Sequence, residues 1–387
     1  MISDVYFPRI NGVSTSIKTF RTKLIAQGHE VTLITPEYGP YDRSDSQLLR
    51  IPSRVIPMDP EDRLMKSSSI YALEKRLQDE HYDLIHIQTP FVAHRVGIRL
   101  ARRLGIPVIE SYHTYFEEYL YHYFPFLPKA VMRFAARWFT RRQCNKVDAL
   151  VVPSQAMLDV LRDYGVTRQM EIIPTGIEDR YLSWPGTTQF RDDYKIPQDR
   201  PVLVHIGRVA HEKNIDFLFE VLLQARKTLP DILLVIAGEG PALEHLKTLS
   251  RNLELEDNLL FVGYLDRDTT LLECYLAGNA FVFASRTETQ GLVLLEAMAL
   301  GVPVVSTAVM GTRDILKSQR GALVAEEDIQ DFAKKIVTLL QDPDLQQKLG
   351  GEARAYARTW SAEEMALRMI DFYEHIIDDH GKKGLPR

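Results

Sequence analysis

Two hydrophobic rhythms alternate along this chain. Short, nearly continuous apolar runs occupy residues 31–35, 82–90, 107–116, 149–154 and 171–177, and again 202–206, 232–241, 258–265, 280–285 and 303–309. Such runs, ending in polar or turn residues, predict parallel strands covered on both faces. Between them apolar residues recur at helical spacing, as in Ile17, Phe20, Leu24 and Ile25, or Leu218, Val221, Leu222 and Ala225. Strand and helix alternating through both halves predict an α/β protein with two doubly wound sheets.

The rhythm breaks over 181–200 (YLSWPGTTQFRDDYKIPQDR), where Pro, Gly and charge gather and predict a linker. The expected organisation is a first domain over 1–180, a second over 201–360, and a C-terminal helix over 361–380 that opens with a Ser361-x-x-Glu364 capping pattern. The closing GKKGLPR reads as a frayed tail. The opening strand has about five residues, short for a parallel core strand, which leaves room for a natural start upstream of Met1.

Composition narrows the function. A chain of 387 residues with 45% hydrophobic content can bury sizeable cores. A net charge of −5 argues against a general nucleic-acid binder, so any basic surface must be local. Cys144 and Cys274 lie far apart without CxxC or Cys/His spacing; neither a disulfide framework nor a zinc site is indicated, and a cytoplasmic location is the expectation. No run approaches the roughly 18 apolar residues of a membrane span, and the N-terminus lacks a signal-peptide pattern.

The residues able to do chemistry stand where strands end. Strand 280–285 runs into SRTETQGLVLLEAMALGVPVV (285–305), where seven residues, Gly291 among them, separate Glu288 from Glu296. A helix starting at Gly291 would turn the N–H groups of Gly291, Leu292 and Val293 toward an anion at the strand's carboxyl end, and a diphosphate fits that place. Glu288 beside it would accept hydrogen bonds from sugar hydroxyls, and Glu296, about a turn and a half into the helix, would reach a ribose diol. After strand 202–206, Arg208 and Lys213 are placed to clamp a diphosphate and stabilise the charge growing on it as it leaves. In the first half, Gly12 would let the backbone approach an anion, although a lone turn glycine is more often only a turn. His86 reads as a hydrogen-bonded structural residue. Gly238-Glu239-Gly240 lacks the third glycine of a dinucleotide fingerprint and reads as a tight turn near a base pocket. Asp266 and Asp268 flank Arg267 just before an apolar-periodic run, so one of them reads as a helix N-cap rather than a metal ligand.

The block T-E-T-Q-G-L-V-L-L-E-A-M-A-x-G-x-P-V-V (287–305), with G-R-x4-K (207–213) and Y-H-T-x-F (112–116), resembles the E-x7-E family-4 retaining glycosyltransferases, and the resemblance extends over nearly the whole chain. It implies two Rossmann-like domains facing across a cleft (GT-B), a nucleotide-sugar held mainly by the second, and a last helix crossing back onto the first. It also implies roles. Arg208, Lys213 and the helix start at Gly291, Leu292 and Val293 would stabilise the departing diphosphate, Glu288 would position the donor sugar and Glu296 the ribose. Gly12 matches the N-terminal glycine loop, and His113 would touch the transferred sugar from the opposite domain. Same-face attack, with a donor phosphate oxygen taking the acceptor's proton, is inherited from the family too; no protein general base, cofactor or metal is expected.

Y-H-T-Y-F-E-E-Y (112–119) together with T-E-T-Q-G is similar to the glycosyldiacylglycerol synthase branch, which implies transfer of a hexose, glucose first, from a donor such as UDP-glucose to a membrane lipid such as diacylglycerol. The alternatives are a GDP-mannose-dependent mannosyltransferase of glycolipid or polysaccharide synthesis and a nucleotide-sugar 2-epimerase. A nicotinamide dehydrogenase would need the absent G-x-G-x-x-G turn. A non-catalytic sugar-binding module would be marked by loss of the phosphate cations or the glutamates, and all four are in place.

Lys129, Arg133, Arg137 and Arg141 recur every four residues and predict a basic stripe, with Val131, Ala135, Trp138 and Phe139 on the other side of the helix; the aromatic-rich YHTYFEEYLYHYFPF (112–126) precedes it. The pattern fits an ordinary domain helix with its apolar side in the core. The resemblance to the glycosyldiacylglycerol synthase branch sets beside it a helix that docks the first domain on the anionic inner face of the cytoplasmic membrane.

Overall fold

The computed structural model describes residues 1–39, 44–56, 59–113, 129–186 and 188–384. The chain divides into two compact units, Met1–Gly176 together with Ala362–Arg387, and Ile177–Ser361.

The second unit is built on a six-stranded parallel sheet. In chain order its strands are Val202–Ile206, Leu233–Ala237, Leu259–Gly263, Ala280–Phe283, Val304–Thr307 and Ala322–Ala325; in space they lie third, second, first, fourth, fifth, sixth. Alternate residues feed opposite faces. Val202, Val204, Leu233, Val235, Phe281 and Phe283 join one core cluster, while Leu203, Leu234, Ile236, Ala280 and Val282 join the other. Two buried faces explain why these strands read as unbroken apolar runs. The order reverses between the first and fourth strands, and in open α/β sheets ligands bind at the carboxyl ends beside such a reversal.

The stretch 181–200, expected as a linker, belongs instead to this unit. Asp179–Ser183 and Phe190–Asp193 are short helices, and Tyr181, Phe190 and Ile196 are buried in its core. Its charge is partly spent inward: the Arg191 guanidinium donates to the carbonyls of Ala277, Pro197, Gln198 and Arg200 at 2.8–3.1 Å. A cation that satisfies backbone oxygens looks in the sequence like solvated surface.

In the first unit Ile85–Ile87, Val108–Ser111, Ala149–Val152 and Gln169–Ile172 form a parallel sheet in that order, and Leu33–Pro36 pairs parallel with Leu48–Ile51. The opening strand expected at the N-terminus is reduced to a bridge at Ile2, which pairs with Ile34 on one side and Ile87 on the other. It stops there because the next residues turn to other partners. The Ser3 hydroxyl donates to the Val5 carbonyl at 2.6 Å, and the buried Asp4 carboxylate accepts from the N–H groups of Val92 and Ala93 at 3.1 Å, capping helix Val92–Leu104 from a distant part of the chain. An antiparallel hairpin, Ser53–Ile56 with Asp59–Met65, was not signalled by the pattern.

The final helix, Ala362–Gly384, packs in this unit: Met365, Met369, Phe372 and Ile376 share a cluster with Phe20, Leu24, Ile109 and Val151. It continues through most of the expected tail, and residues 385–387 lie outside the described residues.

Candidate active site at the sheet reversal

Two loops meet where the sheet order reverses. The one after the first strand runs from Gly207 through a 3-10 turn, His211–Lys213, to the left-handed Asn214 (φ 57°) that opens helix Ile215–Ala225. The other leads from Phe283 to helix Leu292–Ala299. They are tied together by Asn214 Nδ2 donating to the Ala284 carbonyl at 3.3 Å and Ser285 Oγ to that of Glu212 at 3.4 Å.

The loops bring two of the expected residues into contact. Lys213 Nζ pairs with Glu288 Oε1, with 18% and 19% of the side chains exposed, so the pair is sheltered yet open to a ligand. Glu288 is held from behind. Its carbonyl accepts from the Gly311 N–H at 2.8 Å, and a Cβ at Gly311 would stand 2.1 Å from the Thr289 carbonyl oxygen, so only glycine allows this approach. Arg208 joins neither residue: 64% of its side chain is exposed, and its ion-pair contact is Glu212 at 3.8 Å.

The helix expected to start at Gly291 begins one residue later. Gly291 is its N-cap in the left-handed region (φ 92°), where an added Cβ would also press on Thr312 at 2.8 Å. The N-cap glycine brings no side chain of its own to this helix start, which places the first-turn N–H groups of Leu292 and Val293 where an anion can meet them. The Gly238–Gly240 turn packs against the Arg208 loop rather than serving as a dinucleotide fingerprint: a Cβ at Gly238 would fall 1.9 Å from the Gly207 carbonyl oxygen, and Val209 N–H donates to Glu239 O at 2.9 Å.

Glu296 is 4% exposed and already engaged, accepting from Tyr275 Oη at 2.7 Å and Arg267 Nη2 at 3.3 Å. Burial, the largest single influence, depresses the Arg267 pKa, but Glu296 acting together with Tyr181, Tyr275 and Glu178 outweighs it and the net shift is upward. Neither Arg267 nor Tyr275 stands out in the sequence, where Arg267 reads only as the cation between two acids. Those acids are occupied otherwise. Asp266 accepts from the N–H groups of Asp268 and Thr269, Asp268 pairs with Arg180, and the N-cap position expected for one of them is taken by Thr269.

In the first unit, Gly12 is the first residue of helix Gly12–Ala26 rather than a turn residue. Asn11 Oδ1 caps the helix by accepting from Ser14 N–H at 2.8 Å, and a Cβ at Gly12 would meet nothing within 4 Å. His113 and Gln88 follow neighbouring strands and share a hydrogen bond of 3.2 Å between Nε2 and Oε1. Loss of solvent around the half-buried His113 ring pushes its pKa down to about 4, so it is neutral at physiological pH. His86 is structural, bonded to Tyr373 Oη at 2.6 Å and Ser111 Oγ at 2.8 Å.

Comparison with known proteins places this geometry. The pattern of glycosyl transferases group 1 matches residues 186–356, and that of Glycosyltransferase Family 4 matches residues 10–181. An alpha-monoglucosyldiacylglycerol synthase of Streptococcus pneumoniae is 34% identical, covering 100% of this chain and 88% of its own. The chain belongs to the family-4 glycosyltransferases. A GDP-mannose-dependent alpha-(1-6)-phosphatidylinositol monomannoside mannosyltransferase of Mycolicibacterium smegmatis is 26% identical over 96% of this chain and 97% of its own. Among solved structures, sucrose-phosphate synthase from Thermosynechococcus elongatus shares the GT-B fold with a TM-score of 0.76 at 23% identity, covering 95% of this chain and 94% of that one.

Two features of this glycosyltransferase's first unit bear on its acceptor. Helix Lys129–Cys144 buries Met132, Ala136, Thr140 and Cys144, not the expected Val131, Ala135 and Trp138. Val131, Phe134 and Trp138 are instead 54%, 72% and 54% exposed, on the same outward side as Arg133 and Arg137. The helix therefore turns large apolar groups as well as cations outward, while Met132, Ala136 and Cys144 form its side toward the core. The aromatic segment 114–126 lies outside the described residues. Phe139 and Gln143 of this helix also line a cavity of about 590 Å³ in which apolar groups such as Leu64, Phe91 and Ile98 stand beside Arg95, Arg99, Arg102 and Lys146. No helix among the described residues is long and apolar enough to cross a membrane.

Proposed function

We propose that this glycosyltransferase moves glucose, with retention of configuration, from a nucleoside-diphosphate donor, UDP-glucose first, to the hydroxyl of a membrane lipid such as diacylglycerol. The observation that carries the reading is the Lys213–Glu288 pair beside a helix that starts on a glycine at the sheet reversal. Cation and N–H groups suit the diphosphate, and the carboxylate suits sugar hydroxyls. Arg208, solvent-exposed and reorientable, would close on the diphosphate once it binds. Glu296, fixed by Arg267 and Tyr275, keeps lone pairs on both oxygens for a ribose diol. His113, as a neutral imidazole, would hydrogen-bond a hydroxyl of the transferred sugar, and Gly12 would give the donor room to approach the helix it opens.

The lipid acceptor and the glucose follow the pneumococcal relative, and the cavity lined by both apolar and cationic groups and the outward apolar groups of helix Lys129–Cys144 support a peripheral site on the inner face of the cytoplasmic membrane. A GDP-mannose donor is the second reading, on the mycobacterial relative. Metal is not needed at the diphosphate, because Arg208, Lys213 and the helix start supply the positive charge.

Incubation with UDP-glucose or GDP-mannose, each with and without diacylglycerol vesicles and with EDTA throughout, tests the reading. It expects nucleotide release that depends on UDP-glucose and lipid, with an α-linked glycolipid detected by NMR. Release from GDP-mannose alone would select the second reading. Activity restored only by Mg²⁺ or Mn²⁺ would overturn metal independence.

A further inference from the structure

A cluster outside the donor residues has the chemistry of a cation site. His211, in the 3-10 turn just before Lys213, Asp216, in the first turn of helix Ile215–Ala225, and His245, on helix Leu243–Asn252, bring one ligand atom each to within 4.8 Å of one another. His245 Nε2 lies 2.7 Å from Asp216 Oδ2, and the rings of His211 and His245 are 5.3 Å apart, tilted at 56°. We propose that these three residues bind a divalent transition cation, with zinc as its natural occupant, and that the bound ion pins the loop carrying Arg208 and Lys213 to the neighbouring helix.

The donor set selects the ion. Two imidazoles and one carboxylate suit Zn²⁺, Co²⁺ or Ni²⁺, whereas Mg²⁺ and Ca²⁺ require mostly oxygen ligands. Bonds of about 2.0–2.1 Å to a tetrahedral ion put ligands about 3.4 Å apart, so the longest separation must contract by little more than 1 Å, within reach of side-chain rotation in residues this exposed. Three protein ligands leave a fourth position for water.

The backbone beneath is fixed in advance. Asn214 N–H donates to the His211 carbonyl at 3.1 Å and Lys213 N–H to that of Ala210 at 3.0 Å, which sets the turn. Ala242 N–H donates to the Val209 carbonyl at 3.0 Å, which fastens the start of the His245 helix to the same loop. The ligands thus come from segments already hydrogen-bonded to each other, and binding needs no chain rearrangement. The ion is separate from the positive charge offered to the diphosphate, so this inference stands or falls independently of the donor reading.

The test is titration of the EDTA-treated, dialysed full-length protein with Co²⁺, followed by visible absorption, and with Zn²⁺, followed by calorimetry. One equivalent should bind, with Co²⁺ bands of a low-coordinate N/O site, a rise in Tm, and slower hydrogen exchange over residues 207–214. His211→Ala and His245→Gln should each weaken binding by about tenfold or more, while His375→Ala should not. Both substituted positions are at the surface, and circular dichroism would check that each variant is folded. Wild-type binding unchanged in both variants, or no saturable binding at up to millimolar ion, would mean that the three residues form an ion pair only.

Discussion

Lys213 and Glu288 neutralise each other, and that sets what their loss should do. Neither is deeply buried, so Lys213→Ala or Glu288→Ala should leave the fold intact while lowering turnover by roughly a hundredfold or more, the loss typical of one preorganised stabilising group. Steady-state kinetics beside a thermal melt checks both halves, and near-wild-type turnover would remove the residue from the mechanism. Glu296 should behave differently. Glu296→Ala strips the buried carboxylate from Arg267 and Tyr275, so donor affinity and stability should fall together, stability by about 3 kcal/mol as for a broken buried pair. A melt unchanged from wild type would show that Arg267 finds another partner. The sequence showed Glu288, Glu296, Arg208 and Lys213 because local spacing relative to strand ends places them. It hid Arg267 and Tyr275 as partners of Glu296, and Asp4 as the cap of helix Val92–Leu104, because those contacts join residues whose separation follows no local period.

At the scale of elements, periodicity located helix Lys129–Cys144 and its outward basic row but assigned the buried face to the wrong residues. The basic residues do recur every four positions, yet the buried row is Met132, Ala136, Thr140 and Cys144, an equally regular spacing that includes a hydroxyl. A stripe of cations gives no sign of which neighbouring row faces the core. With Phe134 and Trp138 outward among arginines, the helix has both components of interfacial binding, apolar insertion and attraction of about 1 kcal/mol per cation to anionic lipid. Not all the cations are spare, since the Arg137 guanidinium lies 5.1 Å from the Tyr164 ring centroid. Wild type should float with anionic liposomes at low salt. A variant with Lys129, Arg133, Arg137 and Arg141 all changed to Ser should float less, and Phe134→Ser with Trp138→Ser should lose the part that survives high salt. Equal flotation of all three proteins would leave the helix a solvated face and point to a soluble acceptor.

Across the whole molecule, the alternation of strands and helices announced two doubly wound sheets, while the spatial order of the strands lay in pairings that no local pattern encodes. Those pairings bury titratable groups whose effects on stability do not all have one sign. In the second unit His205, fully buried with Nδ1 bonded to the Val282 carbonyl at 3.1 Å, has its pKa pushed by burial down to about 4. The unfolded chain, titrating near 6.5, takes up a proton that the native state refuses, so stability is complete above pH 6.5 and falls as pH drops toward 4. In the first unit burial lifts the Asp4 pKa to about 6 despite its hydrogen bonds, so the native state keeps a proton that the unfolded chain has lost, and that contribution grows as pH falls below 6. His86 and His113, both held below their ordinary value by burial, act in the same sense as His205 and against Asp4, so acid weakens the first unit too. Mild acid should therefore weaken the second unit with no comparable offset. For His205 alone the loss at pH 5 is about 2 kcal/mol, a Tm shift of about 5 °C for a unit of this size. Melts at pH 7 and pH 5 of wild type and His205→Phe test it. The variant should show the smaller difference between the two pH values, whatever its absolute Tm, and an undiminished difference would mean that the acid sensitivity lies in other groups.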